Sequence, residues 1–100
     1  MTAPVTQDAT VRALKTMRRK RWVEAEQQSV ALSEAAAMSA DWHTALDRLV
    51  TLRADLRDIG RAIEWAEDGA TWAVGVMSEK LKAEHGALVT AHGETDHARG

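Results

Sequence analysis

The sequence predicts an all-α protein, either an antiparallel helical hairpin or a three-helix bundle with coiled-coil-like heptad packing. Three observations carry this. Pro4 is the only proline in 100 residues. No stretch alternates β-branched or aromatic residues with polar ones, as a half-buried strand would. Alanine, leucine, glutamate and arginine, all good helix formers, dominate the composition. The interior available to such a fold is thin, because 19 of the hydrophobic residues are alanine and only 26 larger apolar side chains remain.

The first helix is predicted to start in the Thr6-Gln7-Asp8 segment and to run over residues 8–38. At 100° per residue, Val11, Leu14, Trp22, Ala25, Ser29, Leu32 and Ala36 share one face, which places Trp22 in the core. Arg18 falls in the middle of that face. Ser39-Ala40-Asp41 is the predicted turn, since Ser39 and Asp41 are both good N-caps for a helix over 42–67. In that second helix Trp42, Ala45, Leu49, Leu52, Leu56, Ile59, Ile63 and Ala66 recur in alternating steps of three and four. These are a and d positions of a seam that needs a partner along its whole length.

The apolar register changes at Asp68-Gly69, where two four-residue steps follow Ala66. A break with Gly69 as the cap glycine is favoured over a stutter in one long helix. The third helix is predicted over 70–91, carrying Ala70, Val74, Met77, Leu81 and Leu88. Residues 1–92 then form a single helical domain, and 93–100 a flexible polar tail.

The chain has no cysteine, which excludes zinc–thiolate sites, disulfide frameworks and cysteine nucleophiles. No uncharged apolar run approaches the roughly 18 residues of a membrane span, and Met1 to Asp8 lacks a basic-then-apolar signal pattern. The expectation is a cytoplasmic protein with no membrane partner. The formal net charge is −2, but it is unevenly distributed. Arg12, Lys15, Arg18, Arg19, Lys20 and Arg21 put six positive charges within ten residues, on a body that carries −8 elsewhere. Such a band can bind phosphates of a nucleic acid, or an acidic protein partner. It can also be neutralised internally. A hairpin turning at residue 40 sets residue 18 beside residue 62, opposite Asp58, Glu64, Glu67 and Asp68. The charges encircle the helix, and no helix-turn-helix pattern accompanies them.

Four tryptophans stand without phenylalanine or tyrosine. Trp65, Trp72 and Val76, in line with Gly69 on a helical wheel, face away from the second helix's seam, which cannot bury them. Exposed large aromatics are favoured interface anchors, so these three are the predicted partner-binding residues. Val23 and Val30 form a second apolar stripe on the first helix. Two helices with surplus apolar stripes predict a homodimer.

Catalytic patterns are absent. Arg53, Arg57 and Arg61 recur every four residues, and a row of arginines on a helical bundle can bind a dicarboxylate, but the carboxylate and glutamine partners of a chorismate mutase are not identifiable. The row reads as a solvated flank. Glu94-x-x-His97 has the spacing of a di-iron motif but sits after Gly93, in the predicted tail with His92 and Asp96. Neither a phosphate-binding glycine loop nor a serine–histidine–acid set stands out. The expectation is a protein that is not an enzyme and uses no cofactor or metal.

The hundred-residue length, a turn near residue 40 and Trp42 at that turn look somewhat like the small helical-hairpin substrates of type VII secretion. The chain departs from that pattern with Trp42-His43-Thr44 in place of Trp-x-Gly, and it has no tyrosine for the export signal.

The sequence thus points to a small, dimeric, non-catalytic protein-binding module, an adaptor or inhibitor. Small acidic helical proteins of this kind are common products of phages and mobile elements, including inhibitors of host defence complexes such as anti-CRISPR proteins. The alternative is a nucleic-acid-binding regulator acting through Arg12 to Arg21.

Overall fold

The computed structural model describes the backbone of residues 7–99 and the side chains of residues 8–91. Helix α1 spans Gln7–Glu34, α2 spans Ala40–Glu67 and α3 spans Glu79–Arg99, with a short 3-10 turn at Val74–Val76. Helices α1 and α2 form the antiparallel hairpin along their length, and α3 crosses its open end. The molecule is elongated, 56 × 29 × 19 Å. The predicted all-α architecture is the one observed.

The hairpin turn is shorter in helix than predicted, since α1 stops at Glu34 and not at residue 38. Nothing in Ala35-Ala36-Ala37 breaks a helix. The chain is reversed by Met38, which adopts a left-handed φ of 66°, and by Ser39, whose extended backbone and side chain cap α2. Its hydroxyl accepts the Trp42 N–H at 3.2 Å. At the other end of α2 the Gly69 N–H bonds to the Ala66 carbonyl at 3.0 Å and the Ala70 N–H to the Trp65 carbonyl at 2.9 Å. This pair of bonds is a Schellman motif, and it requires the positive φ of 91° that Gly69 supplies. Helix α2 and whatever follows are therefore not continuous, as the change of register indicates.

The third helix differs more. It begins at Glu79, not at residue 70, because Ser78 caps it: the Ser78 hydroxyl accepts the Leu81 N–H at 3.4 Å, and the Lys82 N–H bonds to the Ser78 carbonyl at 2.9 Å. Residues 70–78 make turns that still direct Ala73 and Met77 inward. The helix continues to Arg99, through 93–99 where the sequence predicts a tail; Gly100 lies outside the described residues.

The core sits at the open end of the hairpin. Leu14 and Met17 of α1 meet Ile59, Ala62, Ile63 and Ala66 of α2, with Ala73, Met77 and Leu81 closing over them. Six of the eight predicted seam residues of α2 are buried, and Trp42 and Leu56 are partly so. The turn-proximal half of the hairpin has no third helix over it. That half exposes Trp22, Val23, Val30 and Val50.

Candidate binding face

Helix α1 settles which of its side chains serve the interior and which serve the surface. Its buried residues are Ala13, Leu14, Met17 and Arg21. Trp22, predicted to be core, is 60% exposed. The reason is α3. A helix clamped between two others buries the stripe that bisects them, and here that stripe is rotated toward α3 from the face periodicity alone selects.

Arg21 thereby becomes the interior member of the basic band. It is 9% exposed and lies against Asp55 of α2 and Glu84 of α3. Its Nε–H donates to Asp55 Oδ2 at 3.1 Å, Nη1 donates to Glu84 Oε1 at 3.0 Å, and Nη2 donates to Glu84 Oε2. Lys80 adds donors to both Asp55 oxygens, at 3.0 and 3.3 Å. Two cations and two anions thus balance across all three helices. The Arg21 hydrogen bonds hold the Glu84 carboxyl below its ordinary value, against an opposing effect of burial. Glu84, burial and Asp55 act on Arg21 in turn, and the carboxylates raise it further. Nearby His85, also buried, places Nε2 3.1 Å from the Thr10 carbonyl, which can only accept; Nε2 therefore carries the proton.

The rest of the band faces solvent. Lys15 pairs with Glu67 at 3.4 Å, with both side chains about half exposed. That is the one predicted acidic partner observed among the described residues; Asp58, Glu64 and Asp68 are not paired with the band. Arg12, Arg18, Arg19 and Lys20 form no ion pair among the described residues. The expected internal neutralisation is therefore confined to Lys15 and Arg21, and Arg21 is neutralised by acids the sequence does not single out.

On the side of the hairpin opposite α3, two of these cations, Arg18 and Arg19, border a groove. One hollow, about 550 Å³, is lined by Lys15, Arg18, Arg19, Trp22 and Leu56. A second, about 240 Å³, adjoins it through the shared Trp22 and Leu56 and extends along Ala25, Glu26, Ser29, Leu49 and Arg53. Trp22 stands at the junction. The sequence carries a clue to this face, since Arg18 interrupts the apolar stripe of α1 where a buried seam would not tolerate it. Arg53, read as a solvated flank, contributes the α2 wall.

The predicted partner-binding residues are placed differently. Trp65 is partly buried and packs on the core, and its ring lies 5.1 Å from that of Trp72, tilted by 48°. Trp72 and Val76 are 55% and 59% exposed. They do not continue a stripe from Trp65, because α2 ends at Glu67 and they belong to the turns that follow. Trp42 is half-buried at the hairpin turn, edge-on to His43 at 5.0 Å.

Among the described residues no cluster of three or more His, Asp or Glu is arranged for a metal. The side chains of His92, Glu94, Asp96 and His97 lie outside those described. No helix among the described residues is long and apolar enough to cross a membrane. Neither a protein-family model, nor a curated protein, nor a solved structure matches this chain.

Proposed function

We propose that the chain is a small non-catalytic helical module that binds a protein partner, as an adaptor or an inhibitor, through the α1/α2 face around Trp22. The observation that carries this reading is a largely exposed tryptophan set among arginines that form no ion pair among the described residues, over an apolar floor. Tryptophan and arginine are the side chains that most often anchor protein interfaces. A tryptophan left in water on a helix that already owns a core is otherwise a cost in solubility with no gain in packing. The inhibitor form of the reading includes proteins that phages direct against host defence complexes, an association drawn from size and composition.

A second reading, nucleic-acid binding through the basic band, draws on Arg12, Arg18, Arg19 and Lys20, which form no ion pair among the described residues. The geometry favours it less. Arg21 is withdrawn into the interior, and Lys20 lies on the side of Glu84, away from the groove. The band therefore offers no continuous edge for a phosphate backbone.

The test is site-specific photo-crosslinking in cells that naturally make the protein, with a benzophenone side chain replacing Trp22 and, as a control, exposed Gln27. Discrete protein adducts from position 22 alone support the reading. Nuclease-sensitive adducts, adducts only with a second copy of the chain, or equal yields from position 27 overturn it.

A further inference from the structure

We infer that the occupant of the Trp22 groove is an acidic amphipathic helix of the partner, an inference that rests on the protein-binding reading above. The hairpin already binds one helix on its other side, and that packing is a precedent for the chemistry. There α3 sets Leu81 on Leu14 and Met17 and places Glu84 against Arg21 of α1. The opposite side offers the same two ingredients. Leu49, Leu56 and Trp22 supply apolar surface, and Arg18 and Arg19, one turn from Trp22, supply cations that form no ion pair among the described residues.

Spacing selects a helix over an extended strand. Leu49 and Leu56 are two turns apart on α2, about 10.5 Å at 1.5 Å per residue, which residues i, i+3 or i+4, and i+7 of a docked helix match. Ala25 and Ser29 keep the α1 wall low enough for close approach. Charge then orients the guest. Cations gather at the Arg18–Arg19 end, whereas in the hollow that runs from Trp22 toward the turn Glu26 offsets Arg53. The carboxylates of the guest belong at the first end, where the positive charge is in excess, and gain nothing at the charge-balanced second.

The experiment is a selection on the intact protein from displayed helical peptides of about 18 residues, roughly 27 Å long, with apolar residues at the heptad positions and all others randomised. Enriched peptides are expected to carry aspartate and glutamate clustered toward one end. Their affinity should fall about tenfold or more for Arg18→Glu with Arg19→Glu, and binding should be lost for Trp22→Ala at unchanged helicity. Peptides that need Trp22 but show no acidic bias overturn the inference and leave the face as a protein-binding surface. No enrichment, or binding indifferent to Trp22→Ala, overturns both. So does tight binding of a labelled thymidine oligomer of about 20 nucleotides that Arg18→Glu with Arg19→Glu abolishes.

Discussion

Arg21 of α1 and Glu84 of α3, 63 residues apart in sequence, meet through two parallel hydrogen bonds, and the remaining Nε–H of Arg21 goes to Asp55 of α2. The guanidinium ties α1 to both other helices. Apolar contact alone specifies poorly how α3 lies on the hairpin, since Leu81 and Met77 could slide on a surface of alanine, leucine and methionine. The fork geometry of arginine against a carboxylate fixes that register.

Removing Arg21 takes the ion-pair partner from a half-buried Glu84 and leaves buried Asp55 with Lys80 alone. Breaking a buried pair from one side costs about 3–5 kcal/mol, and Lys80 still neutralises Asp55, so Arg21→Met is expected at the lower end, about 3 kcal/mol. In a chain of this size that lowers Tm by at least about 10 °C. A thermal scan checks it, and a loss within about 0.5 kcal/mol, the scatter of ordinary surface substitutions, would show that Leu81 and Met77 hold α3 unaided.

Acid acts on the same contact. The folded-state value of Glu84 is lowered chiefly by the Arg21 hydrogen bonds, so its contribution is complete above the unfolded glutamate value of about 4.3. It disappears as the pH falls through the lower folded value. The stability gap between the native chain and Glu84→Gln is therefore expected to stay constant from neutral pH down to about pH 5 and to narrow below that. Denaturant titrations of the two proteins across this range test it. A gap that widens in acid reverses the sign and excludes the pairing.

Trp22 and Leu81 separate surface from core. Leu81 is fully buried, and Leu81→Ala is expected to cost about 2–5 kcal/mol. Trp22→Ala, at a side chain 60% exposed, should leave the unfolding midpoint within about 1 kcal/mol. Equal destabilisation by both would return Trp22 to the interior.

What the sequence reveals divides along local and non-local lines. The α2 seam was legible because heptad spacing survives whatever packs on it. So were Ser39 and Gly69, which act on their own backbone. Helix α3's start was not, because Ala70, Val74, Met77 and Leu81 keep a helical spacing while the chain makes turns; Ser78 before Glu79 was the available cap signal. The roles of Trp22 and Arg21 were illegible in α1 alone. They depend on where α3 lies, and the contact it makes with Arg21 comes from Glu84, a residue indistinguishable in sequence from any solvated glutamate.

The two turns offer opposite glycine experiments. Gly69 closes a Schellman motif at positive φ, and Gly69→Ala is expected to cost about 1 kcal/mol or more for its backbone conformation, although the site has open space for a methyl group. Met38 holds a left-handed φ with a 68% exposed side chain. Met38→Gly relieves roughly 1–2 kcal/mol of backbone strain and gives back about 0.4–1 kcal/mol in unfolded-state entropy. The net expectation is a small stabilisation, read from denaturant midpoints, and a destabilised variant would argue that Met38 packs in solution.

The remaining exposed pair, Trp72 and Val76, bears on self-association. The groove is mixed in charge and apolar surface, whereas the Trp72–Val76 patch sits beside the core at the other end of the hairpin, with Trp65 stacked beneath it. A homodimer closed on that patch buries apolar surface, so it should persist at high salt; a dimer closed through the cationic groove should weaken. Light scattering on a sizing column, over a range of concentrations and at low and high salt, distinguishes them. The expectation is a salt-resistant dimer that Trp72→Ala with Val76→Ala converts to a folded monomer while the Trp22 face stays available. A native chain that is monomeric at every concentration removes the dimer and leaves Trp72 and Val76 as ordinary exposed residues.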